Sequence, residues 1–198
     1  MSIDPQLEAK AKAIRLLIMD VDGVLTDGRI YYNADGVQSQ AFFVRDGFGF
    51  RMAREVGLLT AILTGRVSGA VIQRAQELGI TEVHQGAMNK LDVYETLVQR
   101  YGLTDNAVAY VGDDVNDLPV LGRVGLSAAP ADADPEVKAR VAYVTTQAGG
   151  RGAVREVIDL ILKAQGRWEE FIEGRWATAE RERPGDGFFL TSDRGMLQ

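Results

Sequence analysis

Two aspartates one residue apart, Asp20 and Asp22, directly follow an apolar run from Ile14 to Met19 that only Arg15 interrupts. A run of this length reads as a buried strand, and at a strand end residues i and i+2 point to the same side. Two carboxylates so placed repel one another unless something lies between them. A hard cation such as Mg²⁺ does so, because it takes oxygen ligands. Asp22-Gly23 then lets the backbone turn sharply. The segment therefore places a carboxylate nucleophile and a nearby acid/base at the mouth of a sheet. An Asp-Gly turn after a strand is also common in its own right, so other segments must decide.

The rest of the chain alternates strand and helix signals. A short helix is expected over Leu7 to Ala13, then the first strand over Arg15 to Met19. Residues 28–44 read as a β-hairpin, with β-prone Ile30 to Tyr32 and Val37 to Val44 around Asn33-Ala34-Asp35-Gly36. Helices are expected over Phe48 to Val56, from a Ser68 cap to Leu78, after an Asn89 cap to Tyr101, and over Arg151 to Gln165. Gly57, Gly79 and Gly102 serve as stops for the first three. Strands are expected over Leu58 to Leu63, Glu82 to Gln85, Ala107 to Val111, Val124 to Ala129 and Ala142 to Val144, with a short helical turn over Asp117 to Arg123. The strands are continuous apolar runs, which indicates a parallel sheet covered on both faces. The fold class is α/β, a Rossmann-like doubly wound parallel sheet with a β-hairpin insertion. Ligands in such sheets bind beyond the carboxyl ends of the strands. Asp20, Thr64 and Asp113 all follow apolar runs and so share that edge.

Bulk properties remove several classes of function. The 198 residues suit one domain, 1–165, plus a tail, 166–198. No apolar stretch approaches the about 18 residues of a membrane span. The polar first twelve residues carry no signal core, so the expected location is cytoplasmic, with no membrane partner. The absence of cysteine excludes disulfides and thiolate chemistry, and the net charge of −6 argues against nucleic-acid binding. In the tail, Trp168, Phe171, Ile172 and Trp176 either extend a helix or dock on a surface. Ala177 to Gly187 is charged and expected to be mobile, and Phe188-Phe189-Leu190 forms an apolar patch.

Four segments stand in order: Asp20-Val21-Asp22-Gly23, Ile62-Leu63-Thr64-Gly65-Arg66, Lys90 at a helix start, and Gly112-Asp113-Asp114-Val115-Asn116-Asp117. They resemble the four motifs of the haloacid dehalogenase superfamily of phosphotransferases over about residues 14–165. The first and last together are specific. Thr64 alone reads as a turn cap, and Lys90 alone as a solvated first-turn residue. The resemblance implies that Asp20 attacks phosphorus to give an aspartyl-phosphate and that Asp22 protonates the leaving alkoxide, then activates water. It implies Mg²⁺ held by Asp20, the backbone carbonyl of Asp22, and Asp113. Thr64 and the Gly65 amide would bind phosphate, Lys90 would stabilise nucleophile and phosphoryl oxygens, and Asp114 and Asp117 would orient this shell. Aspartate at position 22 points to phosphatases and phosphomutases rather than ATP-driven pumps, which carry threonine there. His84, the sole histidine, reads as packing or surface, and Phe42, Phe43, Phe48 and Phe50 as hairpin and core packing.

The intervals between motifs leave no room for a cap domain. Capless relatives commonly cover the site with a neighbouring subunit, and the hairpin is the element placed for that contact. Four stretches narrow the resemblance: Leu16 to Gly28, Val44-Arg45-Asp46-Gly47, Ala109 to Asp114 and Ala148 to Glu156. They are similar to the family of 3-deoxy-D-manno-octulosonate 8-phosphate phosphatases, homotetramers of lipopolysaccharide sugar synthesis. That likeness implies a sugar-acid phosphate substrate contacted by Asp22, Phe43, Val44, Arg45, Asp46, Gly47, Arg51, Gly65, Arg66, Arg74 and Lys90, some of them in a neighbouring subunit's site. Arginine forks suit carboxylate and phosphate. Exposed helix charges are the simpler reading of Arg51 and Arg74. A phosphatase of a related nonulosonate 9-phosphate and a non-catalytic metal-binding module remain open. A phosphomutase fits less well, because it usually needs a cap.

Overall fold

The structure, a computed structural model, describes residues 4–172. The tail segments expected from Trp176 onward lie outside the described residues. At the centre is β1 (Leu16–Met19), every residue of which is fully buried. On the scale of ~1.5–3 kcal/mol per large apolar side chain removed from water, this strand is a main contributor to the core. It pairs in parallel with β4 (Leu59–Leu63) on one side and β6 (Val108–Val111) on the other. Further out lie β5 (Glu82–His84), β7 (Leu126–Ala129) and β8 (Tyr143–Val144), giving six parallel strands in the order β5-β4-β1-β6-β7-β8. The winding direction reverses between β1 and β6, so a ligand crevice opens at the carboxyl ends of these two strands.

Side chains of β1 alternate between two cores. Leu17 and Met19 face α2 (Val44–Glu55), α3 (Gly69–Leu78), α7 (Ala153–Ala164) and the last turn of α1 (Pro5–Lys12). Leu16 and Ile18 face α4 (Lys90–Tyr101), α5 (Leu118–Leu121) and α6 (Pro135–Lys138). This double layering is the doubly wound arrangement expected of the sequence. Between motifs, residues 22–64 hold only a hairpin, α2 and β4, and residues 65–89 only α3 and β5, so no cap domain is inserted.

The hairpin differs from expectation. Its strands are two residues each, β2 (Tyr31–Tyr32) and β3 (Gln38–Ser39), joined by a turn in which Asn33 Oδ1 accepts from the N–H groups of Asp35 and Val37. The second strand does not continue to Val44. Tyr31 and Tyr32 are half exposed or more, so no sheet face rewards a longer ladder. Val44 instead opens α2, one turn before the expected start at Phe48. Gly47 and Gly49, poor helix formers, hid that turn in the sequence. Both approach other side chains closely: a Cβ at Gly47 would lie 2.5 Å from Arg74 Nη2, and one at Gly49 3.0 Å from Arg155 Cδ. The start of the tail docks on its own domain. α8 (Arg167–Phe171) brings Phe171 edge-on to Phe48 and Trp168 against Arg155 and Lys163.

Candidate active site

The crevice between β1 and β6 receives Asp20 from the end of β1, and its backbone N–H donates to Val111 O of β6 at 3.0 Å. Asp20 Oδ1 accepts from Val21 N at 2.6 Å, and Oδ2 accepts from Lys90 Nζ at 2.6 Å. Lys90 reaches this point because Asn89 caps α4, its side chain accepting from Leu91 N and starting the helix there. The same ammonium donates to Asp117 Oδ1 at 2.6 Å. Tyr110 OH of β6 also donates to that oxygen, at 2.5 Å, and the backbone N–H groups of Asp113 and Asp114 donate to Asp117 Oδ2. Lys90 and Asp117 are buried, so these are charge-assisted bonds out of water.

Asp20, Asp113 and Asp117 each bring a carboxylate oxygen within 4.8 Å of the others. Were all three ionised, the one ammonium would leave two negative charges uncompensated. Burial raises the Asp20 carboxyl, against the lowering by Lys90. Burial, with the charges of Asp117, Asp20 and Asp114, pushes Asp113 up to about 8. For Lys90 burial acts downward, and Asp20 and Asp117 outweigh it, so its ammonium is held above the ordinary lysine range. An all-oxygen donor set whose full ionisation calls for two more positive charges fits a hard dication. Asp117 is the least available of the three, because four donors already meet its two oxygens. Asp20 meets two donors, Val21 N and Lys90 Nζ, one on each oxygen. Asp114 is exposed and caps the following 3₁₀ turn through Val115 N.

The backbone after Asp22 is shaped around Asp113. Gly23 has φ +84°, and a Cβ there would lie 2.0 Å from Asp113 Oδ2. Only glycine allows that approach. Behind this loop sits Gly149, where a Cβ would meet Gly23 O at 1.8 Å. The Gly149-Gly150-Arg151-Gly152 segment thus backs the first motif. Gly149 N is itself fixed by Asp132 Oδ1, and Gly150 N donates to Val24 O.

Asp22 stands apart from the buried knot. Its Oδ1 accepts from Gln40 Nε2 at 2.6 Å, and its Oδ2 lies 3.3 Å from Arg66 Nε. Thr64 is buried at the end of β4, its N–H donating to His84 O and its Oγ1 accepting from Arg66 N at 3.5 Å. Gly65 and Arg66 form the turn that follows. Sequence reasoning did not point to Gln40, and it cast Ser68 only as a helix cap, a bond its side chain does not make. Tyr110 had a sign, a phenol in an otherwise aliphatic strand two residues before Gly112. His84 pairs with Glu82 at 3.0 Å, as a surface residue would.

The remaining expected residues gather elsewhere. Arg51 and Arg74 pair with Glu55 and Glu77 and line, with Val44, Gly47, Phe48 and Arg54, a groove of about 320 Å³ between α2 and α3. Neither is bonded to the Asp20 cluster within the chain. Val44 and Arg45 are exposed in the first turn of α2, and Phe43 precedes it. Asp46 is buried, and Arg155 N of α7 donates to its Oδ1 at 2.7 Å. It pins α2 to the N-terminus of α7, a place that favours a carboxylate. Burial, only partly offset by the N–H groups of Arg155 and Gly152 and by the charges of Arg155 and Arg74, raises it to about 6.

Residues 58–158 match the family of haloacid dehalogenase-like hydrolases. The chain is 51% identical over 168 residues to 3-deoxy-D-manno-octulosonate 8-phosphate phosphatase of Escherichia coli strain B, covering 85% of this chain and 89% of that one. The crystal structure of the Yersinia pestis phosphatase of that name superposes with a TM-score of 0.83 at 47% identity, covering 84% and 90% of the two chains. That of Moraxella catarrhalis, in complex with magnesium ion, phosphate ion and KDO, superposes with a TM-score of 0.84 at 42% identity, covering 85% and 97%. With the four motifs on one sheet edge and likeness of this extent, the chain belongs to the haloacid dehalogenase-like hydrolases and, within them, to the family of 3-deoxy-D-manno-octulosonate 8-phosphate phosphatases, which are phosphoric monoester hydrolases.

Proposed function

We propose that this protein hydrolyses 3-deoxy-D-manno-octulosonate 8-phosphate to the free sugar acid and phosphate, through an aspartyl-phosphate on Asp20, in lipopolysaccharide sugar synthesis. The observation that carries the reading is the buried Asp20 carboxylate. It is held by Lys90 at 2.6 Å and stands beside Asp113 at the switch point of the sheet. An Asp20 oxygen attacks phosphorus as the bond from phosphorus to the sugar oxygen breaks, and Asp22 gives its proton to that oxygen. A water molecule then attacks phosphorus, Asp22 takes its proton, and the Asp20 carboxylate leaves with phosphate released. Lys90 stays protonated throughout and faces both Asp20 and the developing phosphoryl charge. Thr64 and the Gly65 amide donate to the phosphoryl oxygens.

Asp20, Asp113 and the Asp22 carbonyl would hold Mg²⁺, which supplies charge neutralisation for the phosphoryl group. The tight approach of Gly23 to Asp113 supports that set. Arg51 and Arg74, remote from Asp20 within the chain, serve a neighbour's site together with residues 43–47, in a homotetramer built on the hairpin. No described helix is long and apolar enough to cross a membrane, in keeping with work in the cytoplasm on a small soluble sugar phosphate.

The test is phosphate release from this substrate and, in parallel, from a nonulosonate 9-phosphate, with kcat/KM as the measure. Asp20→Asn is expected to lower kcat by a factor on the order of 10⁴ or more. Excess chelator should stop turnover and Mg²⁺ restore it. Full activity in the variant or in chelator would overturn the mechanism, and preference for the nine-carbon acid would overturn the substrate.

A further inference from the structure

The hairpin delivers two amides to the site, Gln38 and Gln40, two residues apart on extended chain and so on one side. Gln40 Nε2 donates to Asp22 Oδ1 at 2.6 Å. Its other end is fixed as well: Ser68 Oγ donates to Gln40 Oε1 at 2.7 Å, and Ser68 N donates to Gln85 Oε1 at 2.6 Å. Ser68 occupies the N-cap position of α3, yet its side chain makes no cap bond there. It turns to Gln40 instead. Gln38 Oε1 accepts from Arg66 Nη2 at 3.4 Å, so the hairpin also touches the cation on the far side of Asp22. The direction of the Gln40 amide follows from this geometry. Flipped, it would set its carbonyl oxygen 2.6 Å from Asp22 Oδ1, two oxygens with no donor between them unless Oδ1 itself held the proton.

We propose that Gln40 is a positioning residue for proton transfer, which Ser68 orients and which holds the Asp22 carboxylate in its working rotamer. This rests on the acid/base role proposed for Asp22. Gln40 occupies Oδ1 and Arg66 Nε stands 3.3 Å from Oδ2; of the two, the exposed Arg66 is the partner that can swing aside, so Oδ2 is the oxygen that gives and takes the proton. Without Gln40 the rotamer is held by Arg66 alone, whose side chain is 44% exposed, and such a pair holds weakly. Proton transfer needs a heavy-atom separation of about 2.6–3.2 Å, so a loosened carboxylate loses rate rather than affinity.

The leaving group reads this out. An alkyl phosphate needs its departing oxygen protonated, whereas p-nitrophenyl phosphate has a good leaving group that needs little help. In Gln40→Leu, kcat/KM for the sugar phosphate is expected to fall about 10-fold through kcat, with KM little changed, and that for p-nitrophenyl phosphate no more than about 3-fold. Ser68→Ala, which leaves the hairpin side chains in place, should show the same split at about 3-fold, and it carries the test if Gln40→Leu does not fold. Equal losses on both substrates, or a rise in KM alone, would mean that Gln40 only fastens the hairpin, and the inference would be overturned. Asp22→Asn separates the two layers. If it keeps activity on the sugar phosphate, the acid/base reading itself fails. If it is inactive while Gln40→Leu matches the unsubstituted enzyme, only the positioning inference fails.

Discussion

The two carboxylates of the first motif are one residue apart and live in opposite surroundings. Asp20 is buried in a knot with Lys90, Asp117 and Tyr110, supplied by the first residue of α4, by the 3₁₀ turn after β6 and by β6 itself. Asp22 is half-buried and is held by Gln40, from the hairpin, and Arg66, from an exposed turn. The group proposed to bond covalently to phosphorus sits out of water, among buried partners already hydrogen-bonded to one another. The group proposed to exchange protons sits where water and substrate reach it. Preorganised electrostatics works best out of water, whereas a proton donor must be recharged from solvent. One strand end meets both needs because the chain turns at Gly23 immediately after Asp22.

Three measurements bear on that contrast. The largest effect is expected for Asp117→Ala, which strands the Lys90 ammonium with one partner and leaves Tyr110 OH and two backbone N–H groups without an acceptor. Breaking a buried charge set of this kind costs about 3–5 kcal/mol. Asp22→Asn, in the half-open part, should change stability by less than about 1 kcal/mol. Chemical denaturation of both variants measures the difference, and equal costs would break the comparison. Second, the excess negative charge of the knot should make Mg²⁺ a stabiliser. At a concentration one hundred times its Kd, the expected gain is about 2.7 kcal/mol, seen as a rise in Tm. Asp113→Asn should abolish most of that rise, and an undiminished rise would place the ion elsewhere.

The third and smallest effect concerns Asp46, a buried carboxylate served by backbone N–H groups rather than by a close cation. Its carboxyl is raised to about 6 in the fold, from an ordinary value of 3.8. Between those values the folded chain binds the proton that the unfolded chain has released. The contribution of Asp46 to stability is therefore greatest below about pH 4 and falls as pH rises to about 6. Asp46→Asn should thus stabilise by about 1–3 kcal/mol near pH 7.5 and hardly at all near pH 4. Denaturant midpoints at the two pH values test this. A gain that does not depend on pH would show that the carboxylate is not under strain.

Much of the central sheet was legible because its strands are continuous apolar runs, and that pattern has few other uses in a chain with charged residues between them. The helix stops at Gly79 and Gly102 were legible for an equally local reason, since both glycines take the left-handed conformation there. The hairpin was half legible. The Asn33 to Gly36 turn was plain, but the length of its strands depended on whether a partner surface existed, and none does among the described residues. The start of α2 was concealed by Gly47 and Gly49, whose use lies in contacts with Arg74 and Arg155, remote in sequence. The Gly149-Gly150 pair could be matched as a pattern, but its physical purpose, the support of the Gly23 turn, appears only in three dimensions.

By itself the sequence determined which chemical groups exist and which sheet edge they share, because strand ends and the residues after them are fixed by local periodicity. What only the tertiary structure decided is which groups touch. Lys90 bridges two carboxylates 70 and 27 residues away, Ser68 forgoes its cap to orient Gln40, and Asp46 holds a helix 109 residues on. Such pairings come from the crossing of strands and helices in space, and no local pattern in the chain records them.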